Sequence, residues 1–426
     1  MLFTKHIRNS FNRKSLFSFD WVKTSPVATG TAMLFANTVL IASLGLVFWM
    51  VAARYYSIAS IGLASALFAF SALVSTCSNL GLNTVVVRYL PNAGGYSLRL
   101  SMIATLIPAV LAFLFSTVFL LTASGHLMLH DLSGNYLKAS LVLVVMSAAT
   151  SVILIQDGIF IARQQPWMVL LRGMAGIIVR FALLIPMAKA GAFGLVSIFT
   201  AEALTSLVLG FSSWLKLPNY DGAFDHTVKE LTLFGITNYV SGIFTQAPQR
   251  LYTILIAILV SSSAAGIFDY AWKAVTLLLV LPPLAANVLM ANLASNPSNR
   301  INRFRQATVY LLVVMSVLAV LLYIAGWLLL PIVLPEFGRQ VLGLLPILLC
   351  STVFFAFVRF QSMFLAFLGK LRKLLFLNGF VAIAAISLPL VLLSGLGVVG
   401  LEIGWLMSQV FGVCVVWILR ERNVGL

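Results

Sequence analysis

The chain has 426 residues, of which 61% are hydrophobic and only 9% charged, and its mean hydropathy is +1.05. A water-soluble protein of this length needs polar surface that such a composition does not contain, which excludes the soluble fold classes. The formal net charge of +16 would suggest nucleic acid in a soluble chain, but the charges sit in short gaps between long apolar runs, so no nucleic-acid partner is expected.

Residues 1–28 are basic and aromatic, with Lys5, Arg8, Arg13, Lys14 and Lys23 set among Phe3, Phe11, Phe17, Phe19 and Trp21. This pattern predicts a cytoplasmic segment lying on the headgroups of membrane lipid. The first apolar run is too long for the core of a cleaved signal peptide. About twelve spans follow, each long enough to cross a bilayer as a helix: 29–53, 58–82, 98–122, 137–162, 167–188, 194–215, 231–259, 264–290, 306–330, 341–368, 374–394 and 397–419. The predicted class is all-α, a polytopic membrane protein. Its N-lobe covers 29–215 (spans 1–6) and its C-lobe 231–419 (spans 7–12). The polar stretch 216–230 (KLPNYDGAFDHTVKE) links them, and 420–426 is a tail.

Basic residues in the gaps favour one side. Arg88, Arg99, Arg163, Arg172, Lys216, Lys229, Arg300, Arg303, Arg305, Lys370, Arg372, Lys373, Arg420 and Arg422 share a side with the N-terminal cations. Only Arg54, Lys138, Lys189 and Arg339 fall on the other. By the positive-inside rule both termini are cytoplasmic, in a multi-pass protein of the cell's inner (cytoplasmic) membrane.

The chain reads as a duplication. Ile61–Gly62–Leu63 matches Ala265–Gly266–Ile267 at an offset of 204, and Phe160 and Ala162 match Phe364 and Ala366 at the same offset. GAFG at 191–194 matches GVVG at 397–400 at an offset of 206. Six spans per half is an even number, so the two lobes have like orientation and form a parallel repeat about the membrane normal. Two such lobes can rock around a central cavity, which is the alternating-access design of secondary transporters.

Motifs for enzymatic chemistry fail on context. GLGVVG at 395–400 satisfies a dinucleotide-binding pattern, but an apolar span precedes it rather than a short strand, so it reads as a tight hairpin. Cys77, Cys350 and Cys414 lie scattered in spans and suggest neither disulfides nor a metal cluster. His126, His130 and Asp131 share an outer loop without further carboxylates, and read as solvated. No enzyme activity, metal or cofactor is expected.

Function is therefore sought in charges within spans, which are costly unless they face water or a partner. Arg250 and Lys273 fall at matching depth on consecutive spans, with Asp269 at the i, i+4 spacing from Lys273 that allows an ion pair. Pro248, beside Gln246 and Gln249, breaks the helix hydrogen bonding next to Arg250 and predicts a hinge. These residues read as one side of a hydrated, net positive site, against the alternative of a structural Asp269–Lys273 pair with Arg250 snorkelling outward. Arg359 could extend the cationic track. Glu202 and Arg180 are expected to pair, and Asp269 is the candidate for coupling to protons. Asp157 and Glu402, near span ends, are expected to reach water.

The segment MVAARYYSIASIGLASALFAF (50–70) resembles the first hairpin of the polysaccharide-unit flippases, the O-antigen and exopolysaccharide exporters of the multidrug/oligosaccharidyl-lipid/polysaccharide (MOP) superfamily. The resemblance rests on an Ala53–Arg54 pair followed by Gly62. STCSNLGLNTVVVRYLP (75–91) resembles that family's Leu-Gly-Leu followed by Arg and Pro, and AAGIFDYAWKAV (264–275) its glycine-aromatic opening. The family's Leu-Gly and acidic residue before the hairpin glycine are replaced here by Tyr56–Ser57–Ile58–Ala59–Ser60. The resemblance implies translocation of a polyprenyl-diphosphate-linked oligosaccharide for cell-surface polysaccharide, and the cations Arg54, Arg250, Lys273 and Arg359 are the residues expected from the charge reading to face that substrate. It also implies membrane lipid and the pathway's polymerase or assembly proteins as partners. Arginine suits phosphate oxygens geometrically, in agreement with that substrate. Two alternatives remain: a multidrug exporter of organic cations, which needs a net acidic site, and a membrane polymerase or glycosyltransferase, which needs a large outer loop.

Overall fold

The computed structural model describes residues 40–122, 136–214, 228–295 and 300–419, with positions 125, 126, 128 and 132 of the connection between the first two. The basic segment 1–28, most of the linker 216–230, His130, Asp131 and the tail 420–426 lie outside the described residues. Among those described, the chain is all-α. The first half holds α1 (Leu40–Ala52), α2 (Ile58–Ser78), a short α3 (Leu82–Tyr89), α4 (Ser97–Leu120), α5 (Tyr136–Ala162), α6 (Pro166–Leu184) and α7 (Gly191–Gly210). The second holds α8 (Val228–Leu259), α9 (Ser262–Leu279), α10 (Leu281–Ser295), α11 (Arg300–Val333), α12 (Gly338–Phe367) and α13 (Leu371–Ile418). Nine of the described helical segments are long and apolar enough to cross a membrane.

Two boundaries differ from the sequence reading. The eighth expected span is α9 and α10 in series, interrupted at Val280 just before Pro282 and Pro283, where missing amide hydrogens weaken the helix. The eleventh and twelfth spans run together as α13, broken at Gly397 (φ 59°, ψ −145°). That backbone region is essentially reserved for glycine. Its partner in the repeat, Gly191, has φ 55° and ψ −133° and opens α7 in the same way. Three residues on, Gly194 and Gly400 play matching parts: a Cβ on either would collide with the carbonyl of Met187 or of Leu392, on the preceding segment of its lobe. The halves of α13 then lie side by side, with Gly404 against the backbone of Pro389.

The lobes meet along α2, α8 and α9. The end of the molecule where α2 and α9 begin is termed the upper end, and the end where α8 begins the lower. At the upper end α2 crosses α9 with backbones touching at Gly62 and Gly266. At the lower end Gly81, in a left-handed conformation (φ 76°), lies against Gly235 of α8, and the Tyr239 hydroxyl donates to the Cys77 carbonyl at 2.7 Å. Tyr270 of α9 reaches back to the Trp49 carbonyl of α1 at 2.6 Å. Contacts therefore join the lobes at both ends. The outer faces of α4, α6 and α11 are apolar and exposed, as helices against lipid must be.

Candidate functional site

At mid-depth on the seam a chain of charges and rings crosses from lobe to lobe. Lys273 of α9 pairs with Asp269 one turn earlier, on the same helix. Its Nζ also donates to Ser65 Oγ of α2 at 3.1 Å, and stands 3.5 Å from the centroid of the Trp49 ring of α1. Trp49 packs on Phe199 of α7, centroids 5.4 Å apart. Over the Phe199 ring, at 5.1 Å, lies the guanidinium of Arg180 from α6. Arg180 in turn grips Glu202 of α7 with Nε and Nη2, the Nη2–Oε1 bond measuring 2.7 Å. Gly176 makes room for this carboxylate, since a Cβ there would come within 2.9 Å of Glu202 Cγ.

Each charge pair is internal to its lobe: Asp269 with Lys273 in the C-lobe, Arg180 with Glu202 in the N-lobe. Among the described residues no ion pair crosses the seam at this depth: the Lys273–Ser65 and Tyr270–Trp49 hydrogen bonds and a cation–π contact do, the last worth roughly 0.5–2 kcal/mol. The four formal charges of this cluster cancel.

Arg250 and Arg359 are different. Among the described residues, neither has a hydrogen bond or ion pair. Arg250, exposed on α8, lies two residues after Pro248, through which the helix runs without interruption rather than breaking as the sequence suggested. The carbonyl that Pro248 leaves without an amide partner is that of Phe244, one turn earlier, and Gln249 Nε2 donates to the next carbonyl, that of Thr245, at 3.2 Å. Arg359 of α12 is half-buried and lines a small pocket of about 30 Å³ between α8, α12 and α13, together with Thr245, Pro248, Asn378, Trp405 and Gln409. Asn378 is held on both sides, accepting from Ser362 Oγ at 2.9 Å and donating to Ser241 Oγ at 3.1 Å.

Arg54 is exposed just past the end of α1, at the upper end and away from these arginines along the depth of the bundle. Asp157 does not stand free in water, because Arg172 binds it at 2.5 Å and also donates to the Ile153 carbonyl at 3.1 Å. Glu402 departs most from expectation: it is fully buried, and neither carboxylate oxygen has a hydrogen-bond partner among the described residues. Its position near a span end suggested access to water, but it lies on the buried face of the second half of α13, with Leu401, Gly404 and Trp405. His126 stacks on Tyr136, centroids 4.6 Å apart. Ser65, Trp49 and Phe199 were not singled out from sequence, since among 50 aromatic residues no spacing marks these rings.

No family model matches the chain, and no curated protein matches it in sequence. Solved structures do. The inward-facing conformation of a multidrug resistance MATE family transporter of the MOP superfamily aligns with a TM-score of 0.65 at 13% identity, over 91% of this chain and 97% of the other. The lipid II flippase MurJ in an inward closed conformation aligns with a TM-score of 0.67, also at 13% identity, over 91% and 87%. The outward-facing conformation of a multidrug resistance MATE family transporter gives 0.60 at 14% identity, over 93% and 95%. Helix order, duplication and these alignments agree: the chain has the fold shared by MATE and MurJ transporters.

Proposed function

We propose that the protein is a flippase of the inner membrane. In this reading it carries polyprenyl-diphosphate-linked oligosaccharide units across the bilayer by alternating access, supplying cell-surface polysaccharide synthesis. The observation that carries the reading is the sorting of charges. The acids on the seam, Asp269 and Glu202, are each occupied by a cation of their own lobe, while Arg250 and Arg359 have no acidic partner among the described residues. Unpaired intramembrane arginines are expensive, and a diphosphate would offset that cost with charge-assisted hydrogen bonds. Rocking of two lobes around the seam supplies the motion. The polymerase and assembly proteins of such a pathway are the natural partners.

The test is reconstitution into vesicles with a labelled lipid-linked oligosaccharide, scored by exposure of the glycan to an impermeant modifying reagent. Wild-type protein should expose it, and Arg250→Ala should not while remaining inserted at normal abundance. Loss of abundance in step with loss of transport would assign Arg250 to the fold instead.

One observation favours a second reading, export of organic cations. Glu402, without a partner among the described residues, sits one turn from Trp405, which is ringed by Tyr252, Trp272 and Phe355 at 5.6–6.0 Å. An acid beside aromatic faces suits a large cation. Efflux of a fluorescent organic cation that disappears in Glu402→Gln would establish this reading over the first.

A further inference from the structure

Among the described residues, five tyrosines donate their hydroxyls to main-chain carbonyls. Three act inside one lobe: Tyr56 on Leu184 and Tyr136 on Leu120 in the N-lobe, and Tyr252 on Ala385 in the C-lobe. The other two cross the seam, one on each side of its middle. Tyr239 of α8 reaches the Cys77 carbonyl at the lower end, at 2.7 Å. Tyr270 of α9 reaches the Trp49 carbonyl at 2.6 Å, about one turn nearer the upper end than Lys273. Each lies beside a glycine contact that brings two backbones together, Gly81 with Gly235 below and Gly62 with Gly266 above.

Both donors belong to the C-lobe and both acceptors to the N-lobe, and each is anchored in its own lobe. Two residues beyond Tyr239, Ser241 Oγ accepts from Asn378 of α13 at 3.1 Å, and the Tyr270 ring packs on Phe337 with centroids 5.4 Å apart. On the other side Ser78, next to Cys77, shares a hydrogen bond of 3.1 Å with Ser151 of α5, and Trp49 packs on Phe199. When the lobes part at one end, the anchors travel with their lobes and the tyrosine bond at that end breaks. Water entering the open end satisfies the parted groups, whereas a bond left unmade at the closed end stays dry and costly. The Cys77 carbonyl is in the last turn of α2, where in-helix partners run out. Trp49 also accepts from the Ala53 amide at 3.0 Å, so the lower bond is the costlier of the two to leave unmade.

We propose that Tyr239 and Tyr270 are paired latches, the first holding the lower end shut and the second the upper, so that these two hydroxyls set the balance between the two open states. The proposal takes from the flippase reading only the rocking of the lobes, not what they carry.

The experiment is double electron–electron resonance on the full-length protein in lipid nanodiscs, in a background of Cys77→Ala, Cys350→Ala and Cys414→Ala, which keeps the carbonyl at position 77. One pair of spin labels spans the lower end (Arg99→Cys with Arg372→Cys) and another the upper (Lys189→Cys with Arg339→Cys), all at exposed positions. Tyr239→Phe should raise the fraction of molecules with a long lower distance about two- to tenfold, as befits one net hydrogen bond, with no rise in the upper-open fraction. Tyr270→Phe should do the converse by a smaller factor, and the double variant should bring the ratio of the open fractions back toward wild type. Tyr56→Phe and Tyr252→Phe, which lose a bond inside one lobe, should change neither fraction. Unchanged distances in both seam variants overturn the proposal. So does opening of the same end by both, or opening of either end as readily by the variants inside one lobe. If Tyr239→Phe does not fold, Gly235→Ala decides: its Cβ would crowd Val85 at 3.1 Å and wedge the same contact, so the lower distance alone should lengthen. Failure of the flippase reading looks different: the reciprocal shifts would persist in a protein that moves no lipid-linked glycan.

Discussion

Tyr252 donates its hydroxyl to the carbonyl of Ala385, 2.6 Å away, and Ala385 is the residue whose helical partner would be the amide of Pro389. Proline has no amide hydrogen, so the tyrosine on α8 completes a bond that α13 cannot make for itself. In hydrocarbon, where no water substitutes, every such carbonyl needs a partner.

Tyr252→Phe should therefore destabilise the protein by about 1–3 kcal/mol, the cost of a buried unsatisfied carbonyl. Adding Pro389→Ala, which returns an amide to Ala385, should recover part of that loss. Thermal unfolding of the two single variants and the double variant in the same lipid measures the coupling. Additive losses would mean the tyrosine acts only by packing.

At the upper end of the seam, a Cβ on Gly266 would fall 2.5 Å from the Ile58 carbonyl, and one on Gly62 would fall 2.6 Å from the Gly266 amide nitrogen. Gly62→Val and Gly266→Val should each cost about 1–3 kcal/mol by overpacking. Gly343→Ala, a helix position with open space around it, should be neutral or stabilising by up to about 1 kcal/mol. Unfolding midpoints of the three variants check the contrast.

Removing one partner of the Arg180–Glu202 pair strands the other. Glu202→Gln or Arg180→Met should cost about 3–5 kcal/mol, and the double apolar replacement should recover most of it. A double-mutant cycle read by unfolding supplies the coupling energy, and near-zero coupling would show the pair to be solvent-relaxed.

Asp269 tests energy coupling. In vesicles with an imposed pH gradient, wild-type transport should respond to the gradient and Asp269→Asn should not. Identical responses would leave Asp269 as the structural partner of Lys273 alone.

For topology, a reporter fused after Leu426 should lie in the cytoplasm and one inserted between Ser124 and Tyr136 outside. Both reporters on one face would remove the even-span arrangement.

The duplication was readable from residues because glycines carry it. Gly62 with Gly266, and Gly191 with Gly397, hold positions that a residue without a side chain suits best, so the sequence shows them directly. The i, i+4 spacing likewise exposes the Asp269–Lys273 pair. What the sequence hides is which side of a helix faces the other lobe. Matching depth suggested that Arg250 and Lys273 share a surface, whereas rotation about the axes directs Lys273 to Ser65 and Trp49 of the N-lobe. Burial of Glu402 was equally hidden, because distance from a span end says nothing about what folds over that end.

Keeping each carboxylate on the same lobe as the cation it neutralises has an electrical consequence. A unit charge crossing the membrane field exchanges about 2.3 kcal/mol per 100 mV, but a lobe that carries Asp269 with Lys273, or Arg180 with Glu202, moves no net charge from this cluster. While both carboxylates are ionised the seam opens without breaking an ion pair and without drawing on the voltage, so gating current from these four residues should be silent at a pH where Asp269 holds no proton and should appear once it takes one up.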